Sequence, residues 1–243
     1  MVEHSLWERV AVGSNPIIPT FIILHKKMQN DQSIQNEVES LEQEEYIEND
    51  IIKGDHIVSK SQVIIENVIP DYLLELIRKR ISDIPEDQWE RGQVGDAKGG
   101  KVYEEVRRCD VAWLNELDWL CGIFTHYFNI ANSSCWQYDV TKFDSIQVTR
   151  YRKGNYYDWH ADYGSSFDSS LTRKISASMI ISDPSDYTGG KLQVMDYHGK
   201  ISSCEKKRGN IIFFDSRTPH RVTPVLDGER ISLVAWMLGP KLR

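Results

Sequence analysis

A mainly β fold is predicted by three observations: a series of short candidate strands after Asp139, turn-forming residues between them, and no helical periodicity in the gaps. Short strands at that spacing specify a sandwich or barrel rather than βαβ units. The strands are expected at Ser145–Tyr151, Tyr156–Asp162, Lys174–Ser182, Lys191–Met195, Asn210–Asp215, His220–Val225 and Arg230–Leu238. The breaks are Lys153-Gly154-Asn155, Asp183-Pro184, Thr188-Gly189-Gly190, His198-Gly199, Arg208-Gly209 and Asp227-Gly228. Each supplies Gly, Pro, Asn or Asp, the residues that tolerate the backbone angles of a tight turn.

The flanking helices precede this region. Ile64 to Ile69 reads as a short strand ended by Pro70, and Asp71 then opens a helix in which Leu73, Leu74, Ile77 and Ile81 share a face. A second helix fits Asn115 to about Tyr127, with Leu117, Leu120, Cys121, Phe124 and Phe128 at helical spacing. Between the two, Gly92 to Lys101 reads as a loop that could close over a site, with Lys101 and Tyr103 after it. Residues 1–60 differ in character. Asn30 to Asp50 is rich in Gln, Asn and Glu, which suits a solvated helix face or a flexible segment. The expected division is an N-terminal extension over 1–60 and a folded domain over 61–243.

Composition sets the limits. The 243 residues suffice for one sizeable domain plus an extension. The net charge of -7 argues against a broad nucleic-acid or anionic-membrane surface. No apolar run is long enough to span a bilayer, and Ile17 to Leu24 lacks the flanks of a signal peptide. The expected compartment is the cytoplasm, with Cys109, Cys121, Cys135 and Cys204 reduced and structural, since none forms a C-x-x-C pair.

The chemistry is carried by four residues. His160 and Asp162 are two apart at the end of an expected strand, so both side chains can face one point. His220 opens a later strand. Two imidazoles and one carboxylate form the facial triad of non-haem Fe(II) oxygenases, although the same donors suit Mn(II), Co(II) or Zn(II). Arg230 follows ten residues later, across the expected Asp227-Gly228 hairpin, on the strand expected to pair with that of His220. A guanidinium pointing inward from the apolar run Ile231 to Trp236 needs an anion, and a dicarboxylate bound to the metal would supply one. Ser232 shares the face of Arg230 and could add a hydroxyl.

The blocks Tyr151 to Asp162, Ser182 to Leu192, Gly209 to Phe214 and His220 to Trp236 resemble the signature of the prolyl-4-hydroxylase-like 2-oxoglutarate/Fe(II) oxygenases, the last block especially their PKHD-type branch in bacteria and phage. The resemblance runs from about residue 63 to 240 and is densest after 145. It implies a double-stranded β-helix (jelly-roll) barrel buttressed by N-terminal helices, with iron on His160, Asp162 and His220. It further implies that Arg230 and Tyr151 hold the distal carboxylate of 2-oxoglutarate and that Trp236 flanks this co-substrate. Tyr157, Trp159 and Arg107 are expected around the acceptor cleft, with at most one of Tyr157 and Trp159 pointing in. Met179-Ile180-Ile181 stands where some members place a tyrosine, which leaves the anchoring to Arg230 and Tyr151.

The activity so implied is O2-dependent hydroxylation of a prolyl or other residue in a peptide or protein, giving succinate and CO2, with ascorbate as reductant. An oxygenase for a small molecule or free amino acid would share these motifs. A nucleobase dealkylase fits less well, because the chain is acidic and has no second arginine beside Arg230 on its strand. A non-enzymatic cupin-like metal-binding module would not require Arg230.

Overall fold

The computed structural model describes residues 62–66, 69–95, 100–114, 118–164, 170–204 and 206–241. The expected extension over 1–60 lies outside the described residues, as do the centre of the Gly92–Lys101 loop and the Asn115 start of the expected second helix.

Strand β1 (Gln62–Ile65) leads into α1 (Asp71–Ser82), which starts where the Pro70 carbonyl accepts the amides of Leu73 and Leu74. The short strands β2 (Glu90–Arg91), β3 (Arg107–Arg108) and β4 (Asp110–Leu114) follow. Helix α2 spans Leu120–Ala131, later than the sequence pattern suggests. Its start is set by Asp118, whose carboxylate accepts the Leu120 amide at 3.1 Å and pairs with Arg80 of α1 at 3.3 Å. At its far end a π-helical turn (Asn132–Trp136) closes on Gln137, held by two hydrogen bonds between the Asn132 side chain and the Tyr138 backbone.

The remaining strands are β5 (Lys142–Arg152), β6 (Tyr156–His160), β7 (Leu171–Ile180), β8 (Tyr187–Gly189), β9 (Leu192–Met195), β10 (Ile201–Ser203), β11 (Ile211–Asp215), β12 (His220–Val222) and β13 (Val225–Pro240). They form two antiparallel sheets. The larger runs β1-β11-β7-β13-β5-β4-β2, with β8 on the start of β13; the smaller runs β10-β9-β12-β6-β3. This is the expected mainly β barrel with helices on one side.

Alternation along the larger sheet divides its side chains into two sets. Ile146, Val148, Ile175, Ala177, Met179, Phe213, Leu233 and Ala235 form one core with Leu74, Ile77, Phe124 and Phe128 of the helices. The other face, with Tyr151, Ile212 and Phe214, packs with Leu192, Val194 and Val222 of the smaller sheet.

Two expectations are corrected here. Asp227-Gly228 is not a hairpin: β13 runs through it, paired first with β8 and then with β5 and β7. Gly228 takes φ +76°, and a Cβ there would lie 2.0 Å from the Asp186 carbonyl, so the glycine marks a close crossing inside one bent strand. Consequently β13 does not pair with the strand of His220. That strand, β12, pairs with β6 and β9 in the smaller sheet, so Arg230 and His220 come from opposite walls of the barrel.

Phe128 packs on Phe124, Phe143 and Phe213 where α2 meets the larger sheet. Phe128→Ala is expected to cost about 3–5 kcal/mol, read as a lowered midpoint in chemical denaturation with an unchanged slope.

Candidate metal centre and its cavity

His160 is the last residue of β6 and His220 the first of β12, and the two are direct partners across these strands. Each ring is pinned by the carbonyl two residues before it. His160 Nδ1 lies 2.8 Å from the Asp158 oxygen, and His220 Nδ1 lies 2.9 Å from the Thr218 oxygen. A carbonyl only accepts, so each Nδ1 carries the proton and each Nε2 presents a lone pair. Burial, then the neighbouring His220, push the pKa of His160 well below its ordinary value, which keeps this imidazole neutral.

Asp162 completes the set, but not as a strand residue. The strand ends at His160, and the carboxylate is aimed by side-chain bonds instead. Its Oδ2 accepts Ser176 Oγ at 2.8 Å and Trp236 Nε1 at 2.9 Å. Ser176 Oγ is in turn 2.9 Å from Ser216 Oγ. His160 Nε2 lies 3.8 Å from Oδ1, and His220 Nε2 lies 3.5 Å from Oδ2. Burial alone would raise the Asp162 pKa. The two imidazoles, Arg173 and the Trp236 N–H outweigh it and hold the carboxyl below its usual range. One ligand atom from each residue falls within 4.8 Å of the others, so the three converge on one point where an ion could be held after a small inward adjustment of the side chains. Two imidazoles with Nε2 turned to the same point and one carboxylate suit Fe(II).

The centre opens into a cavity of about 670 Å³ between the sheets. Arg230 lies in its wall and is 1% exposed. Its Nη1 donates to Ser232 Oγ at 2.7 Å, and Thr149 Oγ1 lies 2.7 Å from the same hydroxyl. Its Nε and Nη2 have no acceptor. Tyr151 is its direct partner across β5 and β13, with the guanidinium carbon 5.5 Å from the ring centre. A buried guanidinium with open donors fits an anionic ligand such as the distal carboxylate of 2-oxoglutarate.

Tyr157 lines the cavity and stacks on His160, the ring centres 3.4 Å apart. Burial pushes its phenol up to about 12, so it stays uncharged. It reaches the face of His160 because β6 carries one extra residue: His220 and Val222 pair with His160 and Tyr157, so two steps on β12 match three on β6. Trp159 lies in this bulge and does not line the cavity; its ring packs under Arg221 instead, at 4.8 Å. Arg107 does line the cavity, with its guanidinium 4.5 Å from the Tyr157 ring centre.

Sequence reasoning missed Ser176, Ser216, Thr149 and Gln147, as well as Tyr187, whose buried hydroxyl is turned toward the Arg230 guanidinium. The one available signal was the pair of serines at 176 and 178 within the apolar second half of β7. Trp236 was expected beside the co-substrate, and its indole N–H is bound to Asp162. Removing either donor from Asp162 frees the carboxylate to rotate. Trp236→Phe and Ser176→Ala are each expected to weaken Mn(II) or Fe(II) binding by about 10–100-fold, measured by metal titration of the folded protein.

Residues 146–238 match the family model described as the 2OG-Fe(II) oxygenase superfamily. A PKHD-type hydroxylase from Shewanella baltica is 33% identical over 90 residues, covering 36% of this chain and 40% of its own length. One from Synechococcus sp. is 33% identical over 98 residues, covering 40% and 43%. The chain thus spans about two-fifths of the length of these curated relatives. A prolyl-4-hydroxylase from Pseudomonas putida superposes with a TM-score of 0.57 at 20% identity, over 73% of this chain and 92% of that one. A prolyl hydroxylase from Trichoplax adhaerens, solved with a hypoxia inducible factor peptide fragment, superposes with a TM-score of 0.61 at 18% identity, over 91% and 94%. These two structures share the fold. The segment from 146 to 238, which contains both histidines, Asp162 and Arg230, is thus similar to the 2OG-Fe(II) oxygenase superfamily and, in part, to its PKHD-type hydroxylases.

Proposed function

We propose that this chain is a 2-oxoglutarate-dependent non-haem iron dioxygenase that hydroxylates a prolyl or other residue of a peptide or protein. The observation that carries this reading is a pair of unmet demands in one cavity. Three metal-ligand atoms converge, and beside them Arg230 is buried with two nitrogens lacking an acceptor. A 2-oxo dicarboxylic acid meets both, with its oxo-acid end on the metal and its far carboxylate on Arg230.

In this reading His160, Asp162 and His220 hold Fe(II). Ser176 and Trp236 keep the Asp162 carboxylate turned to the metal. Arg230, steadied by Ser232 and Thr149 and faced by Tyr151, binds the distal carboxylate. Phe214, Leu192 and Val222 exclude water from the cavity wall. Iron and 2-oxoglutarate, when bound, supply the oxidation: one atom of O2 becomes the hydroxyl of the acceptor and the other enters succinate, with CO2 released. Ascorbate would serve as the reductant that keeps the iron ferrous. The peptide fragment held by the Trichoplax adhaerens prolyl hydroxylase, which shares this fold, supports a peptide acceptor. A free amino acid or another small molecule is the second reading, favoured by the second buried arginine, Arg107, in the same cavity.

The test is an anaerobic titration of the Fe(II)-loaded protein with 2-oxoglutarate. A visible metal-to-ligand charge-transfer band is expected in the wild type and none in His160→Ala. Arg230→Ala is expected to keep its iron while needing on the order of 100-fold more 2-oxoglutarate. A wild type with iron but neither band nor co-substrate binding would reduce the protein to a cupin-like metal-binding module.

A further inference from the structure

Arg107 has no task in that reading. It sits on β3, the edge strand of the smaller sheet, directly across from Tyr157. Its neighbour Arg108 faces solvent, whereas Arg107 turns into the barrel and is 8% exposed. Its contacts are the Cys109 sulfur at 3.1 Å, the Gln93 carbonyl at 3.0 Å and Gln147 Oε1 at 2.7 Å. None of these is a carboxylate, and two of its five N–H donors remain unused.

Three acids of this region are engaged elsewhere. Asp110 pairs with Arg91, Arg150 and Arg152, Glu104 with Arg91 and Arg108, and Asp144 with Arg173. Arg91 and Arg173, which also line the cavity, therefore have anionic partners. Among the described residues no carboxylate lies within ion-pair distance of Arg107. A buried arginine kept for structure alone is ordinarily ion-paired, because desolvating an unbalanced guanidinium costs several kcal/mol. The surroundings also make room for it: a Cβ at Gly92 would lie 2.6 Å from Arg107 Nε.

2-Oxoglutarate has no carboxylate to spare, since one end is assigned to the metal and the other to Arg230 on the opposite sheet. We infer that the acceptor itself carries a carboxylate that pairs with Arg107, one aromatic ring away from His160. Gln147 lies beside that guanidinium and lines the same cavity. The acceptor is then an acid: a free amino acid, or a peptide whose C-terminal or side-chain carboxylate is close to the carbon hydroxylated. This rests on the oxygenase reading only in calling the bound acid the acceptor.

The experiment compares acids with their neutral counterparts on the full chain loaded with redox-inactive Zn(II), with and without 2-oxoglutarate. The probes are the common L-amino acids and their amides, and short peptides ending in a free acid or an amide. Isothermal titration calorimetry is expected to show at least one acid bound about 10–100-fold more tightly than its amide. Arg107→Gln should erase that difference, and Arg107→Lys should retain part of it. Free amino acids and peptides, as separate arms, identify the source of the carboxylate. The wild-type comparison stands even if a variant fails to fold. Equal binding of every acid and its amide, or no binding of any acid, overturns the inference. So does an Arg107→Gln protein that loses 2-oxoglutarate and keeps the acid preference, since Arg107 would then serve the co-substrate. Failure of the oxygenase reading is seen separately, as a missing charge-transfer band in the iron protein.

Discussion

A buried guanidinium with open donors is the constraint around which the barrel is organised. Arg230 is held 1% exposed, and only one of its nitrogens is satisfied, by Ser232. An unpaired charge in that position is tolerable only if something anionic arrives. The strands give it a place. The β5–β13 register sets Arg230 opposite Tyr151 and Ser232 opposite Thr149, so the polar side chains of the cavity wall fall on one face. The intervening residues, Val148, Leu233 and Ala235, fall on the other and meet α1 and α2. One alternation thus builds the helix-packed core and the ligand wall together. The large apolar contact of the helices stabilises a strand pair whose inner face is unfavourably polar until a ligand binds.

Much of the barrel was legible because its strands are bounded by residues with few conformational alternatives. The turn at Lys153-Gly154-Asn155 lies between β5 and β6 as expected, and β11 spans Ile211–Asp215 where Asn210–Asp215 was predicted. The misses have a common cause. The strands β3, β4, β8 and β10 are short, and a two- to five-residue segment such as Arg107–Arg108 has no period to read. Gly228 misled for a different reason: positive φ is needed both in a hairpin turn and where a bent strand crosses another backbone, and local sequence does not distinguish them.

The site shows the same division. His160, Asp162, His220 and Arg230 are visible in the chain because their types and spacing are unusual. Their supports are not, because support depends on register. Ser176 touches Asp162 only because β7 pairs with β13 so that Ser176 stands opposite Trp236. That pairing joins residues sixty apart, and nothing local marks either as a partner of the carboxylate. The charge distribution was hidden likewise. A chain of net charge -7 turns four arginines, at 91, 107, 173 and 230, toward one cavity. Arg91 and Arg173 are paired with acids, which leaves Arg107 and Arg230 to attract small anions that can enter.

The extra residue in β6 has a consequence for how this gene can vary. Tyr157 and His160 share a face because the strand is one residue out of step with β12 between them. A replaced side chain at 158 or 159 leaves that count intact, and both positions lie away from the metal. A single codon deleted there would remove the bulge and set Tyr157 two residues before His160, which in a regular strand is still the same face. Arg107, which meets the candidate metal centre through the Tyr157 ring, would keep that contact. Related chains should therefore be able to differ in length by this one residue without turning Tyr157 away from the site.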